Sequence, residues 1–300
     1  MVDLSPHNIQ SYIDNTIHVA QIQGSVLLPH CWHGTGYSGK KASPVKTFGT
    51  TKARVNSGRN ADTPIMGTPR DRRWLSPNEI EWGDLVDSLD IVNFGDDPTS
   101  DLVLAGGMAL GRAIDEDIII PAFFGTNYTG ENGETATTFP SGNEVAAVFD
   151  GQGGATPLGL TATKIARAKR ILKGNKERVD LDVLNLAYPA DQHEKLAEDI
   201  FTTSKDFATK ARKDEDDFQG YMGINFIPYE GLVEQSDGDL WLPMWLSRGM
   251  HVGEYEEHER DVYKRGDKKN NTQVYFQEFW GATRTQETKV VKIICEPYAL

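Results

Sequence analysis

Three observations predict an α+β fold. Helical and strand-like patterns both occur in the 300-residue chain, yet they do not alternate regularly, which argues against a doubly wound parallel sheet. The C-terminal part reads mostly as strand, over 250–255, 272–283 and 288–295. Between Gly34 and Pro77 the chain is rich in Gly, Pro, Ser, Thr and Lys and poor in apolar residues. A stretch of about forty such residues does not suit a compact interior and reads as an arm or long hairpin that reaches outward.

The elements follow in order. Ile9, Ile13 and Ile17 recur every four residues and predict a short amphipathic helix within 8–28, ended by Pro29. Segments 45–49 and 51–55 alternate as strands do. Thr99 or Ser100 is placed to cap a long helix, with Asp101 in its first turn where the dipole favours an acid. That helix is expected to run to about Phe124, weakened by Gly106, Gly107 and Gly111 and kinked by Pro121. Its acids Asp115 and Glu116 are expected on the solvent side. A cleaner helix is predicted over 161–173, with Gly174 as its cap. Strands are predicted at 183–187 and 221–229, with a helix at 191–200 between them.

Composition excludes several classes. Six Trp, 10 Tyr and 12 Phe supply too much apolar area for a disordered chain, and the length fits one or two domains. The run 117–124 falls far short of a membrane span, and Met1–Gln10 lacks the basic and apolar regions of a secretory signal. Cys31 and Cys295 are too few for a disulfide scaffold and fit a reducing cytoplasm.

The net charge of -13 conceals a division. Residues 40–73 carry nine Lys and Arg against Asp62 and Asp71, or +7, whereas 74–160 carry fifteen acids against Arg112, or -14. Such asymmetry points to a partner of opposite charge, either nucleic acid or another copy of the chain. The overall negative charge speaks against strong phosphate-backbone binding, which draws on many cationic contacts.

Motifs for catalysis fail on context. Gly34–Lys41 satisfies GxGxxG but has Lys41 where a P-loop needs a hydroxyl, and it is flanked by Pro29 and Pro44 rather than by a strand and a helix. His30, Cys31 and His33 lack the second pair of ligands that a structural zinc site needs. No GxSxG or HExxH occurs, and the acidic run 214–217 lacks the spacing of a calcium loop. The chain is therefore expected to have no catalytic residues, no cofactor and no metal.

The order of several short motifs resembles the major capsid proteins of tailed double-stranded DNA bacteriophages. Gln21–Ser25, Arg59–Pro64, Arg72-Arg73 and Asp84–Asp87 are similar to that family's arm and extended-loop region. Asp97–Ser100, Gly111–Asp115 and Phe124–Gly130 resemble its spine-helix region and exit. Ala166–Leu172 resembles its first apical helix, and Gln273–Tyr275, Gly281–Arg284 and Val290–Cys295 its C-terminal β segment.

The resemblance implies the HK97-like phage capsid fold. Its parts would be an N-terminal arm (1–45), an extended β-hairpin loop (46–76), a peripheral domain with a long spine helix (77–150 and 249–300) and an apical domain (151–248). It implies a non-enzymatic subunit that self-assembles into the hexamers and pentamers of an icosahedral head, made in the host bacterial cytoplasm and enclosing double-stranded DNA. Portal and scaffolding proteins, and a cement protein, are the implied partners, with no membrane and no specific nucleic-acid binding. An encapsulin-like nanocompartment shell is the alternative that shares the fold. The arm and loop are expected to lie across adjacent subunits, with Lys46, Lys52, Arg54, Arg59, Arg72 and Arg73 as inter-subunit contacts and Arg112, Asp115 and Pro121 marking the spine helix. Some relatives crosslink a loop Lys to a neighbour's Asn; no motif here identifies the Asn and the assisting Glu, so no crosslink is expected.

Overall fold

The computed structural model describes residues 24–49, 51–53, 55, 63, 65–87, 99–154, 156–198, 221–232 and 238–296. The helix expected at the N-terminus lies outside these residues up to position 23, as do Arg54 and Arg59. Thirteen strands are present among the described residues: β1 (Trp32–Tyr37), β2 (Ala42–Phe48), β3 (Arg70–Leu75), β4 (Asn78–Val86), β5 (Asn127–Thr129), β6 (Thr135–Thr137), β7 (Glu144–Val145), β8 (Leu184–Tyr188), β9 (Asn225–Pro228), β10 (Leu240–Leu246), β11 (Met250–Arg265), β12 (Asn271–Arg284) and β13 (Val290–Cys295). The helices are α1 (Thr99–Ala113), α2 (Ile120–Phe124), α3 (Ala162–Gly174) and α4 (Ala190–Glu198).

Three sheets result, ordered β1-β11-β12-β4, β7-β13-β10-β8-β9 and β2-β3-β5-β6. The second is the apolar centre: β8 is buried throughout, Leu242, Met244 and Trp245 of β10 are fully buried, and so are Val290, Val291 and Ile293 of β13. Helix α3 covers it with Ile165, Ala168 and Leu172, all inaccessible to solvent. Thr161, expected as the first helical residue, instead caps α3 by accepting from the Lys164 N–H, while Asn175 rather than Gly174 closes it. Lys164, on the buried side of this helix, donates to the Leu158 and Ile294 carbonyls at 2.5 and 2.9 Å. Burial pushes its pKa down.

One sheet spans an expected boundary: residues 290–295, expected in the peripheral domain, pair with β10 of the central segment, antiparallel from Leu240↔Cys295 to Trp245↔Val290. The strand expected at 51–55 is absent at the described positions 51–53 and 55, because pairing in this hairpin stops at Phe48↔Arg70. Residues 221–223 form a 3-10 turn ahead of β9, and β11 continues ten residues beyond the expected end at 255.

The long helix is not regular to its end. After Ala113 the chain widens into a π segment over Ile114–Ile119, where the Ile120 N–H bonds the Asp115 carbonyl, and then enters α2 with Pro121 in its first turn. A proline at 121 lacks the N–H an α ladder needs and crowds the carbonyl four residues back; the wider turn accommodates both. Helix α1 packs on the β4–β12 ladder at a point where there is no room for a side chain. A Cβ at Gly106 would lie 2.6 Å from Trp82 and 2.7 Å from Phe276. At Gly111 it would lie 2.3 Å from the Gly24 backbone. Replacing either glycine by Ala should therefore lower subunit stability by about 1–3 kcal/mol, against the helix-propensity trend, as read from urea unfolding. A stabilised variant would contradict this packing.

Candidate assembly surfaces

The hairpin β2–β3 projects two unlike faces. Register pairs Lys46 with Arg72 and Phe48 with Arg70 on one face, and Val45 with Arg73 on the other. Val45 and Arg73 are buried, whereas Lys46, Phe48, Arg70 and Arg72 are exposed. The exposed face is thus cationic with an aromatic tip, the Arg70 guanidinium lying 5.6 Å from the Phe48 ring centre. Like charges directly opposite each other destabilise a ladder, so Lys46 facing Arg72 is a cost to the isolated subunit. Beyond it Val55, Ile65 and Met66 are exposed, Ile65 almost completely at 97%. Lys52 is exposed as well. A concavity of about 460 Å³ beside this face is lined by Lys46, Phe48, Arg70, Arg72, Gly130 and Glu131 among others.

The root of the hairpin is fixed firmly. Asp71 accepts from the Gly130 N–H at 2.9 Å, and Trp74 Nε1 donates to the Gly130 carbonyl at 2.7 Å. Tyr255 donates its hydroxyl to the Leu75 carbonyl at 3.0 Å. Arg73 forms two hydrogen bonds to Glu287, at 3.0 and 2.6 Å. Arg73 is therefore an internal anchor and not an outward contact, a correction that follows from the strand alternation turning it inward. Glu287 also lies 3.6 Å from Arg284, which is inaccessible to solvent and donates to the Ala122 and Phe123 carbonyls at 3.0 and 2.9 Å at the end of α2. Asn127, with its amide oriented to satisfy both, accepts from the Arg284 Nε and backbone N. Burial pushes the Arg284 pKa down to about 10, Glu287 opposing and Arg73 assisting that shift.

A second surface has the opposite sign. The β4–β12–β11 ladder packs Ile80, Trp82, Phe276 and Val274 toward α1. Its other face carries Glu79 and Glu81 of β4, Gln277 and Tyr275 of β12, and Glu259 and Asp261 of β11, which the registers Glu81↔Gln277↔Glu259 and Gly83↔Tyr275↔Asp261 align. All four acids are exposed. Tyr275 donates to Glu81 at 3.2 Å and Gln277 donates to Glu79. The Tyr275 phenol is raised above its ordinary pKa, by desolvation first and then by Glu81, Glu259 and Glu79. The basic hairpin and this acidic face belong to different sheets of one subunit, which is the arrangement a head-to-tail contact between copies requires.

The long-helix residues have unlike surroundings. Asp115 is fully buried, not on the solvent side. It accepts from the Ser25 hydroxyl, from the Val26 N–H at 2.7 Å and from the Leu27 N–H at 3.3 Å. Burial pushes its carboxyl up in pKa, and these hydrogen bonds work against that shift. Three donors around one carboxylate were not legible, because Ser25 and Asp115 are 90 positions apart. Arg112 is half-buried on α1.

Gly34–Lys41 begins in β1, an edge strand running parallel to β11, and does not form a phosphate loop. Its Tyr37 hydroxyl meets His251 Nε2 at 2.8 Å. Burial, and then the neighbouring His33, hold His251 down to a pKa of about 4, against an ordinary 6.5. The folded subunit thus excludes a proton that the unfolded chain takes up. Its stability is complete above pH 6.5 and falls as pH drops toward about 4, by about 3 kcal/mol in all. Urea midpoints at pH 7.5 and 5 should lie closer together in a His251→Asn variant than in the parent; equal pH slopes would refute the assignment. Among the described residues, no group of three His, Cys, Asp or Glu is placed to hold a metal ion, and no helix is long and apolar enough to cross a membrane.

Comparison with known proteins places these surfaces in context. The phage capsid protein family matches residues 4–296. The fold is similar to the capsid of the cyanophage P-SCSP1u at a TM-score of 0.71 and 11% identity, over 97% of this chain and 94% of that one. It is similar to the capsid of Ralstonia phage GP4 at 0.69 and 10% identity, over 100% and 98%. It is also similar to the capsid of the cyanophage Pam1 at 0.67 and 13% identity, over 99% of each chain. At these identities the likeness is one of fold. No curated protein matches the chain by sequence.

Proposed function

Because the chain belongs to the phage capsid protein family, we propose that it builds its shell by laying the basic β2–β3 hairpin of one copy on the acidic β4–β12–β11 face of the next. Membership makes it a major capsid protein with the HK97-like α+β fold, a structural subunit of the virion capsid. A nanocompartment shell is not favoured by that match. The proposal adds the hexamers and pentamers of a closed icosahedral head, packaged double-stranded DNA within, portal and scaffolding proteins as partners, and the absence of any catalysis.

The observation that carries this reading is Lys46 set opposite Arg72, a repulsive pair that an anionic partner surface would relieve. Exposed ion pairs contribute only about 0–1 kcal/mol each, so the contact would draw on several pairs together with Phe48, Ile65 and Met66. Residues 46–76 serve in this reading as the extended loop, and Lys46, Lys52 and Arg72 as its outward cations. Zero-length carbodiimide coupling of mixed ¹⁵N- and ¹⁴N-labelled shells tests it. Lys46 or Lys52 should couple to Glu79, Glu81, Glu259 or Asp261 across differently labelled chains. Coupling of those lysines only within one chain would count against it.

A further inference from the structure

Strand β2 ends the sheet β2-β3-β5-β6, so one of its edges has no partner strand among the described residues. The ladder fixes which groups lie on that edge. The Gly49 N–H donates to the Pro69 carbonyl at 2.8 Å, and pairing alternates from there, so 45, 47 and 49 turn their backbone groups to β3. Lys46 and Phe48 turn theirs outward, N–H and C=O alike, and no described residue bonds them. Such an edge is a template for one more strand. Beside it runs a groove of about 560 Å³. Strand β2 lines one side, and the turns at 247–249 and 287–289 supply Arg248 and Lys289. Trp32 completes the lining. It is 44% exposed, yet its ring packs on His251 with centroids 4.7 Å apart, which holds the open indole in place.

Arg248 is exposed and Lys289 half-buried, and neither forms an ion pair among the described residues. Two uncompensated cations over an aromatic surface, in a chain of net charge -13, make the groove complementary to carboxylates. We propose that it takes an extended acidic segment of another protein, which adds as a strand to the free edge of β2 and sets its carboxylates against Arg248 and Lys289. Residues 44–48 offer about 17 Å of edge at roughly 3.4 Å per residue, the reach of a short linear segment. A nucleic-acid strand has phosphates for the cations but no peptide N–H and C=O to complete the ladder. A second copy fits less well, because its described strands are built into sheets and the groove admits a single strand. The contact uses the edge of the hairpin and leaves the cationic outer face free, so it stands apart from the assembly contact proposed above.

The test uses the unassembled full chain and a synthetic peptide of alternating Glu and Val, acetylated and amidated. Saturating peptide should slow amide exchange at Lys46 and Phe48 by at least about tenfold and leave Leu242 and Met244 of β10 as they were. The same peptide with Gln in place of Glu, and an oligo-dT of equal length, should leave Lys46 and Phe48 exchanging as in the free subunit. Arg248→Glu with Lys289→Glu should weaken binding of the Glu peptide by at least about tenfold, since both contacts turn repulsive. Unchanged exchange in β10 then shows that the variant is folded. Exchange at Lys46 and Phe48 that ignores the Glu peptide would overturn the proposal. So would equal slowing by the Gln peptide or by oligo-dT, slowing by subunit concentration alone, or full binding by the double variant.

Discussion

Replacing Glu287 by Ala should destabilise the unassembled subunit by about 3–5 kcal/mol, the cost of leaving buried cations without their counter-charge. Arg73 loses both of its bonds and Arg284 loses the carboxylate 3.6 Å away, while both guanidinia stay in place. Two donors, Arg73 Nε and Arg284 Nη2, already lack partners, so the cluster has no slack to absorb the loss. A folded domain is stable by only about 5–15 kcal/mol, which makes this a large share. The site also joins four parts of the chain: the hairpin root, the end of α2, the end of β12 and the turn at 287–289. Loss of soluble subunit, or a urea midpoint far below that of the parent, is the expected readout. The exposed pair Arg178–Asp180 is the control, where Asp180→Ala should leave the urea midpoint close to that of the parent. Equal effects at the two sites would show that the Glu287 cluster carries no special weight.

Reversing the outward cations, Lys46→Glu with Arg72→Glu, should leave the subunit folded and abolish shell formation. Both side chains are exposed, so removing their mutual repulsion for another like pair changes the isolated fold little. In the shell each contact would then set two acids against Glu79, Glu81, Glu259 and Asp261. Symmetry repeats that penalty at every equivalent contact, which is why a modest local change should have a large effect on assembly. Arg73→Glu does not belong in this test, because it disrupts the buried cluster and confuses folding with assembly. Sedimentation and circular dichroism separate the two: native spectra with no fast-sedimenting particles are expected. Normal particles from the double variant would remove the hairpin from the account.

Sequence and structure agree where local signals suffice. Helix α3 follows from the apolar spacing of Ile165, Ala168, Ile171 and Leu172, and β2 follows from alternation in 45–48. Strand β10 was hidden for two reasons: its residues are almost all buried, so no alternation shows, and Pro243 argues against a central strand. The structure tolerates Pro243 because pairing with β8 begins only at Met244. The π segment was hidden because a proline in a helical pattern predicts a kink without saying how the ladder adjusts. Asp115 and Arg73 read as surface charges because each finds its partner far along the chain, Asp115 at Ser25 and Arg73 at Glu287. The charge division, by contrast, was legible. What sequence could not show was that Glu259 and Asp261, from outside the most acidic stretch, complete the acidic face.

The most direct test is cryo-electron microscopy of particles assembled from the purified chain. Closed icosahedral shells are expected, with the β2–β3 hairpin of each subunit resting on the Glu79–Glu81–Glu259–Asp261 face of its neighbour. A chain that remains a single small species at all concentrations, or shells in which that hairpin touches no neighbouring subunit, would contradict the account.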